Sequence, residues 1–297
     1  MARWPNLFIA GAPRSGTSSL HSYLQDIPGI YMSRVKEPNY FSRNTIADDH
    51  PMVKPIRDEM QYLQLFADAG EARVLGEASP TYLEDPEAPG LIDRTVPGAK
   101  VIASLRDPVE RLHSHYLMML NNRPGMGSFM DEIKKGLTLQ HDRSLAVLGP
   151  DVGLYYPQVR RFHEVFGDAR FKVLIFEETM SDVPAALRGV LEFLGIEHDL
   201  ANFDAPAQRQ YSEARGPLVR YLFGNRLVSR SVELFVPYRL RKLVRNTILV
   251  KQASKPGMDA ESRAFLVDYY AEDVRRLADY LERPLPWRNF VSAAGSA

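Results

Sequence analysis

Four short apolar runs, each bounded by turn-forming residues, punctuate the chain: Leu7 to Ala10, Arg73 to Leu75, Lys100 to Leu105 and Phe171 to Phe176. Between them apolar residues recur at helical spacing, which predicts helices over Thr17 to Gln25, Val109 to Leu120, Leu154 to Phe166 and Pro184 to Leu194. A last helical pattern, Ala260 to Leu281, carries Phe265, Leu266, Tyr269, Leu277 and Leu281 and reads as core packing. Strands without a polar face, alternating with helices, point to a parallel sheet covered on both sides, with ligands at the carboxyl ends of its strands. The expected fold is α/β, a central parallel sheet flanked by helices with a helical C-terminal part. No repeat or low-complexity linker interrupts the pattern. Residues 1–291 are therefore expected to form one domain, and the small residues 292–297 a flexible tail.

Composition narrows the chemistry. The chain has 297 residues, 45% of them hydrophobic, enough for a sizeable core. Lys plus Arg and Asp plus Glu both total 37, so global charge favours neither nucleic acid nor an acidic partner, and any electrostatic function must be local. Cysteine is absent, which excludes disulfides, thiolate metal sites and thiol nucleophiles. No apolar stretch has the length of a signal peptide or a membrane span, and a cytoplasmic enzyme is the expected setting. One segment stands apart. Between Leu218 and Lys251, eight arginines and lysines are opposed only by Glu233. A solvated face with snorkelling arginines accounts for it; a groove for an anionic acceptor or peripheral contact with an anionic membrane are the sharper readings.

The first apolar run ends in GAPRSGTSSL, with glycines at 11 and 16 and a helix beginning beyond. A strand, a glycine turn and a helix N-terminus together aim several backbone N–H groups at one point, and anions bind there. The glycine spacing matches the ATPase loop, but Thr17 stands where that loop carries lysine, and the cation is Arg14 inside the turn. A second such place is VIASLRDPVERLHSHYLMML from Val101. There Arg106 and Asp107 end a strand, Pro108 opens a helix and Ser114 lies two turns along it. Arg106 could simply pair with Asp107 or Glu110. Two anion sites at strand ends instead suit a ligand with two anionic groups, whereas an ATP site would want a Walker lysine and a carboxylate for Mg²⁺.

GAPRSGTSSL resembles the 5′-phosphosulfate loop, and LRDPVERLHSHY the 3′-phosphate motif, of sulfotransferases that use 3′-phosphoadenosine 5′-phosphosulfate (PAPS), the family that includes the heparan sulfate enzymes. The resemblance extends to KEPNYF at 36–41, GEASPTYL at 76–83, GLYYPQVRRFHEVFG at 153–167 and KPGMDAESR at 255–263, in family order. It implies a P-loop-like sulfotransferase fold and transfer of a sulfuryl group from PAPS, without a metal, to a hydroxyl or less readily an amine of a carbohydrate, glycolipid or small-molecule acceptor. It further implies that Arg14, Ser15, Gly16, Thr17 and Ser18 hold the 5′ side, that Arg106 and Ser114 grip the 3′-phosphate, and that Lys255, Pro256 and Gly257 close over the nucleotide.

By the same resemblance Glu37 is the general base and Arg14 the cation at the leaving group, where many relatives carry lysine. Without the resemblance, Glu37 reads as half of a surface pair with Lys36. Lys36, Glu77 and Tyr155 are candidate substrate contacts; Glu177 matches a recurrent family position. His113 and His115 are the alternative bases. Ala78 stands where the heparan enzymes often have a lysine, so that cation is missing. Two rival readings remain at this level, a P-loop kinase or nucleotidase acting on ATP and a non-catalytic nucleotide-binding, membrane-associated protein.

Overall fold

The computed structural model describes residues 3–46, 53–122, 126–139, 148–200, 203, 212–214, 250–252 and 256–291. Most of the basic stretch at 218–251, Lys255 and the 292–297 tail lie outside the described residues. Five parallel strands form the centre: β1 Leu7–Gly11, β2 Ile30–Met32, β3 Val74–Ala78, β4 Lys100–Leu105 and β5 Phe171–Ile175. Their order is β2-β3-β1-β4-β5. The chain leaves β1 for the edge, returns beside it as β3, and then crosses to its other side as β4. The carboxyl end of β1 is thus the place where successive connections diverge, the usual crevice of an open parallel sheet.

Every residue of β1 is buried, because the strand is covered on both faces. Leu7 and Ile9 pack with Leu20, Leu24 and Ile102, and with Leu187 and Leu191, under α1 (Thr17–Gln25) and α8 (Val183–Leu194). Phe8 and Ala10 face the other core, with Phe41, Tyr62, Tyr82, Phe162, Tyr270 and Trp287. That side is covered by α6 (Tyr155–Arg170) and the long helix α9 (Ala260–Tyr280), which also packs on α4 (Pro108–Asn122). The remaining α-helices among the described residues are α2 (Glu59–Gln64), α3 (Ala88–Thr95), α5 (Phe129–Thr138) and α7 (Phe176–Ser181). A two-stranded antiparallel pair, Ser212–Ala214 with Val250–Gln252, lies outside the main sheet.

The expected strand at 73–75 begins one residue later and runs on through Gly76, Glu77 and Ala78, all buried. A buried carboxylate broke the apolar pattern there. Phe176 opens α7 instead of closing β5.

Candidate active site

Gly11 leaves β1 where only a hydrogen fits: a Cβ at this position would stand 2.5 Å from Leu83 Cβ and 3.0 Å from the Pro80 carbonyl. The turn continues through Arg14 at φ 67° to Gly16 at φ 81°, the N-cap of α1. Glycine is at home in that conformation; an arginine there is strained and is held by its surroundings. The N–H of Ser15 returns to the Ala12 carbonyl, but the N–H groups of Gly16, Thr17 and Ser18 have no backbone acceptor and no side-chain cap among the described residues. These are the donors an anion would take. Ser104, two residues before the end of the described Val101 run's Arg106, donates from Oγ to the Ser15 carbonyl at 2.6 Å and fixes the turn from β4.

The two anion sites meet. Arg14 crosses to α4, donating from Nε and Nη2 to Ser114 Oγ at 3.3 Å each, with Nη1 3.4 Å from Met118 Sδ. Arg106 donates from Nη1 to the Arg14 carbonyl at 3.3 Å, and its guanidinium lies 4.8 Å over the Phe176 ring. Desolvation, and then the charge of Arg106, pull the Arg14 pKa down, while Glu37 opposes them. Asp107 is occupied elsewhere, accepting from the N–H groups of Val109 and Glu110 and from Asn289 Nδ2, and Glu110 pairs with Arg263. Arg106 is therefore aimed at the cleft instead of at its sequence neighbours. The sequence resemblance assigns Arg14 to the 5′ side and Ser114 to the 3′ side; the structure brings the two side chains into direct contact.

Glu37 enters from the loop after β2. Its φ is 61°, again in the left-handed region, and its N–H donates to the Ala78 carbonyl at 3.0 Å. The turn is clamped from below: Asn39 donates from Nδ2 to the Glu37 carbonyl at 2.7 Å, and the Asn39 N–H donates to Ser79 Oγ at 3.0 Å. The carboxylate is half exposed and takes a 2.8 Å contact from Lys36 Nζ. Of the four non-glycine residues at positive φ among the described residues, two are Arg14 and Glu37. Strain held at those two positions marks the cleft independently of any motif.

Other expected residues sit differently. Glu77 is fully buried, accepting from Tyr82 and Tyr62 hydroxyls at 2.5 and 3.1 Å on Oε1 and from Ser79 Oγ at 2.8 Å on Oε2. Burial pushes its pKa up to about 7. Tyr155 is also fully buried, its phenol pushed to about 12 by burial. Neither has surface left for a substrate, so the substrate-contact expectation for both is corrected to a role beneath the cleft. Glu177 accepts from the Asp107 N–H at 3.1 Å and from Trp287 Nε1 at 3.1 Å, tying β4 to the C-terminal segment. His113 is buried beside Tyr116 and Phe129. His115 is pushed down to about 3, first by burial and then by Arg111 and Arg14. Pro256 and Gly257 are exposed just before Asp259, the N-cap of α9.

Sequence reasoning missed Ser104 and Phe176. Ser104 had a signal, a lone hydroxyl in the apolar run VIASL. Phe176 had none, since it serves the site only by lying against Gly16 and under Arg106.

Comparison with known proteins gives the family. The model of the sulfotransferase family matches residues 5–200. Human carbohydrate sulfotransferase 15 is 25% identical over 245 residues, covering 65% of this chain and 44% of that protein. Human heparan sulfate glucosamine 3-O-sulfotransferase 6 is 27% identical over 203 residues, covering 66% and 53%. The chain thus spans about half the length of the curated relatives it matches. The crystal structure of a sulfotransferase from Alicyclobacillus acidocaldarius is similar throughout, at 27% identity and a TM-score of 0.73, covering 96% of this chain and 99% of that one. The chain belongs to the sulfotransferase family.

Proposed function

We propose, with that membership as premise, that the chain transfers a sulfuryl group from PAPS to a hydroxyl of a carbohydrate acceptor. The observation that carries the reading is the junction of Arg14, Ser114 and Arg106: residues about a hundred positions apart converge on one cleft at the ends of β1 and β4. Two cations, one hydroxyl and three uncommitted loop N–H groups fit a nucleotide bearing phosphate at both its 5′ and 3′ positions. PAPS would supply an activated SO₃ unit on a phosphate leaving group. Gly16, Thr17 and Ser18 would hold its 5′ side through their N–H groups, and Arg106 with Ser114 its 3′-phosphate.

Arg14 stabilises charge on the leaving oxygen as it develops; a guanidinium stays protonated, so it acts as a fixed cation and not as an acid. Glu37 accepts the acceptor's proton, since an alcohol attacks well only as that proton leaves. Its exposure and the fixed turn beneath it favour that role over the histidines: His113 is enclosed among aromatics, and a His115 that takes up a proton only near pH 3 is a weak base at neutral pH. Lys36, with Nζ 2.8 Å from that carboxylate, is placed to contact the acceptor. The carbohydrate assignment is supported by the names of the curated relatives; glycolipid and small-molecule hydroxyls share the chemistry.

The test is incubation with PAPS and a panel of oligosaccharides, read by mass spectrometry. Gain of one SO₃ unit on an oligosaccharide, abolished in Glu37→Gln, supports the reading. Turnover of ATP with Mg²⁺ and none of PAPS would contradict it.

A further inference from the structure

Seven buried side-chain nitrogen or oxygen atoms among the described residues have no hydrogen-bond partner: Ser15 Oγ, Arg111 Nε and Nη1, His115 Nδ1, Tyr155 OH, Arg161 Nη1 and Ser262 Oγ. Folded proteins leave few such atoms, and each calls for a reason. Five of the seven belong to one group behind the phosphate loop. The Ser15 hydroxyl lies beside the Tyr155 phenol without an aligned bond. The charge of Arg111 reaches Tyr155, Tyr270 and His115, and that of Arg14 reaches His115 as well.

Arg111 is the unusual member. Its side chain is 0% exposed; Nη2 donates to the Gly149 carbonyl at the long distance of 3.5 Å, the guanidinium lies against the Tyr270 hydroxyl, and Nε and Nη1 have no partner. It makes no ion pair with a carboxylate among the described residues. The carboxylates that act on neighbouring Tyr155, Asp107 and Glu177, place their oxygens on the N–H groups of Val109, Glu110 and Asp107 and on Asn289 and Trp287. Tyr270 already donates to the Pro150 carbonyl at 2.7 Å. A guanidinium kept from water without a counter-charge is costly, and a fold that needed only packing there would be at least as stable with an apolar side chain of the same length.

We infer that Arg111 is a third, buried cation of the nucleotide site, whose charge is balanced by the phosphates of the bound nucleotide and not by a carboxylate among the described residues. The inference rests on the nucleotide assignment above. Arg111 stands on α4 one turn before Ser114, five residues after Arg106 at the end of β4, and its charge acts on Tyr155, whose phenol lies beside Ser15 of the loop. It touches no ligand; it raises the potential of the cleft from behind, in a region where water screens little.

The experiment is Arg111→Met, with thermal melting of the free protein and calorimetric titration of 3′-phosphoadenosine 5′-phosphate (PAP), AMP and adenosine. The free variant is expected to melt at the wild-type temperature or higher. Its affinity for PAP falls about tenfold, the scale of one charge acting across a partly screened interior; AMP loses less and adenosine nothing. Equal PAP affinity in variant and wild type overturns the inference, as does a loss of the same size for adenosine, which would signal packing. A free variant that unfolds or melts far lower overturns it too. Wild-type protein that fails to prefer PAP over AMP instead removes the nucleotide assignment itself.

Discussion

Glu77→Gln isolates one buried carboxylate beneath the cleft. In the folded chain Glu77 holds its proton up to about pH 7, against an ordinary value of 4.5, because burial outweighs the bonds from Tyr82, Ser79 and Tyr62. Between those two values the folded state binds more protons than the unfolded chain, so stability falls as pH rises. The contribution is complete below about 4.5 and is lost as pH passes through about 7, amounting to at most about 3 kcal/mol. Glutamine has the same shape, keeps an oxygen for the two phenols and carries no titrating group. Urea unfolding of both proteins at several values between pH 4.5 and 7.5 gives the comparison. Asp273, pushed up to about 6, and His115, pushed down to about 3, are common to both and drop out of the difference. The variant is expected to gain on wild type steadily as pH rises across this window. A difference that stays constant with pH would refute the protonated, buried state of Glu77.

Arg106→Ala should weaken PAP binding by about 1.5–3 kcal/mol, the scale of a charge-assisted hydrogen bond, and leave AMP nearly unchanged in calorimetry. Glu37→Gln should retain PAP affinity and lose transfer to the acceptor, measured with labelled PAPS; turnover near wild type would move the base elsewhere. Gly16→Ala forces a side chain into a left-handed turn with its Cβ 2.8 Å from the Phe176 ring. It is expected to cost about 1–3 kcal/mol of stability by chemical unfolding, and to weaken PAP binding as the loop shifts.

Local pattern carried much of the framework. Lys100–Leu105 and Thr17–Gln25 fall at their expected bounds, since an uninterrupted apolar run and a glycine followed by hydroxyl residues are signals contained within a few positions. Glu77 shows where such reading stops. The expected strand stops at Leu75, short of this carboxylate, yet Tyr62 and Tyr82 reach it from other segments and make its burial tolerable. β2, three residues long at the sheet edge, and the short helices α2, α3 and α7 offer too few periods to register. α5 is longer and opens with a capping box from Ser128 and Asp131, a signal that was present in the sequence. At the site, Arg14, Arg106 and Ser114 were legible as separate motifs. Their convergence was not, because it depends on β1 and β4 being neighbours and on the Phe176 ring beneath Arg106.

The most direct measurement is calorimetric titration of the wild-type protein with PAP and with AMP, which differ only by the 3′-phosphate. The expected result is a dissociation constant for PAP lower by about a hundredfold, in keeping with one charged and one neutral contact from Arg106 and Ser114. Equal affinities would contradict the assignment of the second anion site, and with it the reading of this cleft as a place where PAPS is bound.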